Sequence, residues 1–132
     1  KDLYEGAIEL FEDLKGRGIK CAIGSASKNA KPVLEKLGIG QYLDAISDGF
    51  AFERSKPAPD VFLKAAEMAG VSPQEGIVFE DASVGIDAAL AGGFVAVGMG
   101  NYDSLKHAHL FIDSLTEVNA QKLIDLHAEK SA

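Results

Sequence analysis

Hydrophobic and polar positions alternate between two periods along this chain. From Ala7 to Lys15 the apolar residues Ile8, Leu10, Phe11 and Leu14 recur at helical spacing, and Gly16 and Gly18 end the run. Ile19 to Gly24 is a short apolar run that reads as a strand buried on both faces. Helical spacing returns from Asn29 to Leu37 and stops at Gly38, and Leu43 to Ile46 is a short strand. A charged, proline-containing loop runs from Phe50 to Pro59, followed by a helix over Pro59 to Ala69 that ends at Gly70. Ser72-Pro73-Gln74-Glu75 has capping-box spacing with proline at the first helical position, which predicts one short turn. Beyond it the pattern predicts a strand at Ile77 to Phe79, a helix from Ser83 to Ala91, a strand at Phe94 to Val97, an edge strand at Leu110 to Ile112 and a last helix from Val118 to His127.

Strands alternating with helices predict an α/β fold, a Rossmann-like doubly wound parallel sheet covered on both faces. With no repeat or long linker, residues 1–132 read as one domain. In such sheets ligands bind beyond the carboxyl ends of the strands, so the residues that follow each strand are the candidates for chemistry.

Composition narrows the partners. The net charge of -7 argues against nucleic acid, which needs a basic surface, and no polybasic segment offers itself to an anionic membrane. No apolar run is long enough to span a bilayer. Cys21 is the only cysteine, so no intrachain disulfide can form, and a reducing, cytoplasmic setting fits. The chain opens on Lys1 and runs almost directly into a helix, which suggests either further sequence upstream or an ordinary processed terminus.

Three segments stand at strand ends. Ser25-Ala26-Ser27-Lys28-Asn29 follows the first strand and precedes a helix. Backbone N–H groups at a helix start, a serine hydroxyl and the Lys28 charge suit an anion, although Ser27 or Asn29 would serve equally as a helix cap. In Ser55-Lys56-Pro57-Ala58-Pro59-Asp60 the two prolines stiffen the approach to a helix, so that the Lys56 ammonium could be aimed at a phosphate and a carboxylate together; a surface lysine is the other reading. Asp60 in the first helical turn suits the helix dipole. Phe79-Glu80-Asp81 sets two adjacent carboxylates at the end of an apolar strand, which is costly unless a cation or hydrogen bonds offset them. Mg²⁺, a hard ion that takes oxygen ligands and keeps waters or a phosphate, matches this pair; helix capping by Asp81 beside a solvated Glu80 is the alternative. His107 and His109 flank Ala108 in an expected loop and read as solvent-exposed, and Cys21 reads as core packing.

Taken in order, these segments resemble motifs II, III and IV of the haloacid dehalogenase-like superfamily, with Ser25, Lys56 and Glu80-Asp81 at the respective positions. The resemblance runs from about Gly6 to Gly100 and is nearest the beta-phosphoglucomutase-like branch. It implies Mg²⁺-dependent phosphoryl transfer through an aspartyl phosphate, on a small sugar phosphate. It further implies that Ser25 and the Ala26 amide hold phosphate oxygens, with Ser27 in the same loop. Lys56 bridges nucleophile and phosphate, Glu80 and Asp81 bind or orient Mg²⁺, and Lys28 and Asn29 contact the substrate. The family's Asp-x-Asp nucleophile motif, which ends a central strand before the helical cap, does not occur in this sequence. The expectation is therefore a core without that strand and cap, inactive alone, whose missing strand comes from upstream residues or another chain, within a complete enzyme that is a monomer. Lys28-Asn29 leans toward a phosphomutase; a sugar-phosphate phosphatase and a non-catalytic phosphate- or metal-binding remnant are the alternatives.

Overall fold

In the computed structural model, which describes residues 5–25, 32, 36, 38–49 and 52–131, five helices and five strands carry the described fold. In chain order they are α1 (Ala7–Gly16), β1 (Ala22–Gly24), β2 (Ala45–Ser47), α2 (Asp60–Ala69), β3 (Ile77–Glu80), α3 (Ser83–Ala91), β4 (Val95–Met99), α4 (Tyr102–Leu105), β5 (Leu110–Ile112) and α5 (Ala120–Lys130). The helix expected over Asn29 to Leu37 lies outside the described residues except at Pro32 and Lys36, which are helical.

Among the described residues all strand pairs are parallel, as expected for an α/β fold of this class. β1 pairs with β2, with Ile23 opposite Ile46. β3 pairs with β4, with Phe79 opposite Val97, and β4 pairs with β5, with Gly98 opposite Phe111. Among the described residues β1 and β3 share no ladder, so the strands form one two-stranded and one three-stranded sheet. Burial follows this division. β4, flanked on both sides, is buried at all five positions, whereas in β3 only Glu80 is buried and in β1 Ala22 is exposed.

Side chains leave β4 alternately to two cores, as a two-residue period requires. Ala96 joins Val61, Phe62, Ile86, Ala89 and Phe94 on one face, and Val97 and Met99 join Leu10, Ile112, Leu115 and Leu123 on the other. The helix α2 joins the two sheets: it packs on β1 and β2 and also meets α3, which lies over β3 and β4. Its approach to β1 is close. A Cβ added at Gly24 would stand 3.0 Å from Phe62 Cδ1 and 3.3 Å from Val61 Cγ2.

Three local outcomes differ from the sequence pattern. The first strand starts at Ala22 rather than Ile19, because the Cys21 N–H donates to the Asp44 carboxylate at 2.8 Å. A four-residue helix, α4, follows β4, started by the Asn101 side chain, which accepts from the Asp103 N–H. His109 is a correction: it is partly buried and extends the β4–β5 ladder by one rung. Its N–H donates to the Ala96 carbonyl at 2.9 Å and its Nδ1 accepts the Ala96 N–H at 2.9 Å. The Ser72 capping box forms as expected, and Cys21 is buried, its thiol pushed up chiefly by that burial. Among the described residues no helix is long and apolar enough to cross a membrane.

Two measurements check these contacts. His109→Ala orphans the N–H of the fully buried Ala96; the expected loss is about 1–3 kcal/mol in urea unfolding, with faster hydrogen exchange at Ala96. His109→Asn, which keeps an acceptor near the Nδ1 position, should recover most of it. The second concerns Asp44, held below the usual carboxylate value of 3.8 first by its hydrogen bond from Lys15 and then by the Cys21 N–H. A folded value below the unfolded one means that this contribution is complete above 3.8 and is lost as pH falls through the lowered value. The difference in Tm between the unsubstituted chain and Asp44→Asn should therefore be largest near neutral pH and shrink as pH drops below about 4.

Candidate active site

A cavity of about 360 Å³ opens at the carboxyl ends of β1 and β3, where the two sheets face each other without pairing. From β1 and the residue after it come Ile23, Gly24 and Ser25; from β3 and the residue after it come Phe79, Glu80 and Asp81. Lys56 enters from the loop before α2, and Met99 from the end of β4. Four of the residues singled out in the sequence, Ser25, Lys56, Glu80 and Asp81, thus line one cavity. Ala26, Ser27, Lys28 and Asn29 lie outside the described residues.

The Glu80 carboxylate organises this cavity. Its side chain is 9% exposed, and it holds three donors. Oε2 accepts from Lys56 Nζ at 3.1 Å, and Oε1 accepts the N–H groups of Asp81 at 3.1 Å and Ala82 at 3.2 Å. Ala82 is the N-cap of α3, so the carboxylate also sits where the helix dipole favours a negative charge. The alternative of a solvated Glu80 is thereby replaced by a buried, paired one. Asp81, which lines the same cavity, is exposed.

Lys56 is fixed from several sides. Its side chain is 19% exposed, and its ammonium lies 5.1 Å from the centroid of the Phe62 ring, within cation–π range. The loop that carries it is tied at both ends: Arg54 Nη2 donates to Asp60 Oδ1 at 2.8 Å, while Arg54 Nε and its backbone N–H donate to Oδ2 at 3.1 and 3.2 Å. This fork raises the guanidinium and lowers the Asp60 carboxyl, in each case first through the side-chain hydrogen bond. Asp60, read from the sequence as a dipole partner, is therefore also half of a loop clamp. The clamp spans the loop whose prolines were expected to stiffen it.

On the opposite side, Ser25 follows β1 and its N–H donates to the Ser47 carbonyl at 2.8 Å, continuing the β1–β2 ladder by one bond. That bond presents the start of the Ser25 segment at the cavity. Among the described residues the cavity combines the Lys56 ammonium, the exposed Asp81 carboxylate, a serine and the facing edges of two strands that share no ladder. Among the described residues no group of three or more His, Cys, Asp or Glu side chains stands together to hold an ion. The donors fit Mg²⁺ in kind, since Asp81 offers hard oxygen, and they fall short in number. Sequence reasoning missed Phe62, Met99 and the Arg54–Asp60 clamp; the Arg54–Asp60 spacing across the prolines was the available signal.

A family model described as haloacid dehalogenase-like hydrolase matches residues 1–93, and the chain belongs to that family. Its relatives put it in the beta-phosphoglucomutase-like branch. It is 36% identical over 123 residues to a beta-phosphoglucomutase of Bacillus subtilis, covering 93% of this chain and 54% of that protein. It is 43% identical over 81 residues to the Escherichia coli fructose-1-phosphate phosphatase YqaB, covering 61% of this chain and 43% of that protein. The crystal structure of a beta-phosphoglucomutase from Clostridium difficile superposes with a TM-score of 0.89 at 40% identity, over 94% of this chain and 56% of that one. The chain thus spans about half the length of the curated relatives it matches.

The Lys56–Glu80 contact has a direct test. Lys56→Met leaves a buried carboxylate without its cation and should cost about 2–4 kcal/mol in urea unfolding. Adding Glu80→Gln to Lys56→Met removes the stranded charge and should restore more than half of that loss.

Proposed function

We propose that this chain carries the phosphate- and cation-binding part of a Mg²⁺-dependent enzyme of phosphoryl transfer, acting on a small sugar phosphate in the manner of a beta-phosphoglucomutase. The observation that carries the reading is the seam between β1 and β3, with Ser25, Lys56, Glu80 and Asp81 gathered at its carboxyl end. Among the described residues β1 and β3 share no ladder across this seam, and a further parallel strand there would satisfy the backbone donors and acceptors of both edges. In this reading the occupant is an apolar strand ending in Asp-x-Asp, from upstream residues of a longer protein or from another chain. It delivers the nucleophilic carboxylate into the cavity.

The roles then follow from charge and position. The nucleophilic carboxylate attacks phosphorus, the bond from phosphorus to the substrate oxygen breaks, and the second aspartate protonates the departing oxygen. Lys56, held by Glu80, neutralises charge between nucleophile and phosphate. Ser25 and the Ala26 amide take phosphate oxygens, with Ser27 supporting the same loop, and Lys28 and Asn29 reach the sugar side. Asp81 would hold Mg²⁺, which supplies charge neutralisation at the phosphate when bound. Glu80 is already committed to three donors and acts on the ion through position. The complete enzyme is taken as a monomer folded as one core domain over this region, in a cytoplasmic setting consistent with the single buried cysteine. A sugar-phosphate phosphatase is the second reading, favoured by the 43% identity to a fructose-1-phosphate phosphatase.

The test is turnover. This chain alone, given p-nitrophenyl phosphate or β-glucose 1-phosphate with Mg²⁺, should release no phosphate and form no glucose 6-phosphate above background. Robust turnover that disappears in Asp81→Ala would show that the nucleophile lies within these residues and would overturn the reading.

A further inference from the structure

We propose that Gly85 is a positioning residue of this site: the space left by its missing side chain is the seat of the Glu80 carboxylate, and through Glu80 it sets where the Lys56 ammonium stands. The catalytic meaning of this seat rests on the phosphoryl-transfer reading; its geometry does not.

Gly85 lies buried in the first turn of α3, in ordinary helical conformation rather than at positive φ. Nothing in its backbone calls for glycine, and glycine inside a helix is less stable there than alanine. The reason lies in its neighbour. A Cβ at position 85 would stand 2.0 Å from both Cγ and Cδ of Glu80 and 2.3 Å from Oε2. Oε2 is the atom that accepts from Lys56. No side chain can share that volume, so any residue larger than glycine forces Glu80 out or shifts α3.

Glu80 is the softer of the two, because a side chain rotates more cheaply than a packed helix moves. Its departure breaks the bond from Lys56 and those from the Asp81 and Ala82 N–H groups together. Lys56 then keeps only the Phe62 ring among the contacts described for its ammonium. The fold's helix would gain from alanine while the site loses its arrangement, so the position trades helix stability for the placement of one cation.

The experiment reads Lys56 geometry and stability rather than turnover. The Lys56 Cε–Hε resonance is assigned by its absence in Lys56→Arg. Gly85→Ala should shift it in the same direction as Glu80→Gln does, while Gly16→Ala, where an added Cβ meets nothing within 4 Å, should leave it in place. In thermal unfolding Gly85→Ala should lower Tm in the unsubstituted chain and raise it, or leave it unchanged, in a Glu80→Ala background. An unmoved Lys56 resonance in a folded Gly85→Ala chain, or an equal loss of Tm in both backgrounds, overturns the proposal. Should Gly85→Ala not fold, the Glu80→Ala/Gly85→Ala chain decides: melting at or above Glu80→Ala supports the seat, and failure to fold overturns it. Robust turnover by this chain alone that disappears in Asp81→Ala would count against the functional reading and leave this result intact.

Discussion

The contact on which the candidate site depends is the buried pair of Lys56 and Glu80. A carboxylate 9% exposed is tolerable only with its charge met, and here one oxygen takes an ammonium while the other takes two backbone N–H groups at the start of a helix. The pair ties together three parts of the chain: the loop before α2, the end of β3 and the first turn of α3. It also determines what Glu80 can do. With three donors engaged, its carboxylate is an anchor for Lys56 and for the turn that carries Asp81, the exposed member of the acidic pair.

Around this contact the sheet is divided, and the division explains both the cavity and the uneven burial. Strands of a parallel sheet are ordinarily covered on both faces and both edges. β4 meets that condition; β1 and β3 each have one edge toward the seam and remain partly exposed. The two sheets are joined by α2, whose Val61 and Phe62 reach the glycine at the end of β1 on one side and the core under α3 on the other. The same Phe62 ring lies beneath the Lys56 ammonium. One aromatic side chain therefore belongs both to the core and to the site, which places the cation relative to β1 as well as to β3. The similarity to a beta-phosphoglucomutase at a TM-score of 0.89 over 94% of this chain shows that the fold around the site is the family's own.

Much of this was legible in the residues. The helices α1, α2 and α3 have apolar residues at helical spacing and glycines beyond their ends, so their limits read within a residue or two. β3, β4 and β5 are apolar runs bounded by breakers. The start of β1 was not legible, since the Cys21 N–H goes to the Asp44 side chain, 23 residues away. Nor was α4, a short polar segment without periodicity whose start depends on a local Asn101 bond. His109 looked like a loop residue because nothing in its neighbourhood reveals that the Ala96 N–H, 13 residues earlier, needs an acceptor.

The sequence by itself determined the order of strands and helices and the identity of the polar residues at their carboxyl ends, because periodicity, capping and turn chemistry act over a few residues. It also named Ser25, Lys56, Glu80 and Asp81 as a set through their resemblance to family motifs. Only the tertiary structure decided that Lys56 meets Glu80 across 24 positions, that Arg54 and Asp60 clamp the loop between them, and that Gly85 leaves room for the carboxylate. Those relations depend on which surfaces pack together and on where a buried charge can find donors. Such conditions are met by distant segments at once and leave no pattern within any one of them.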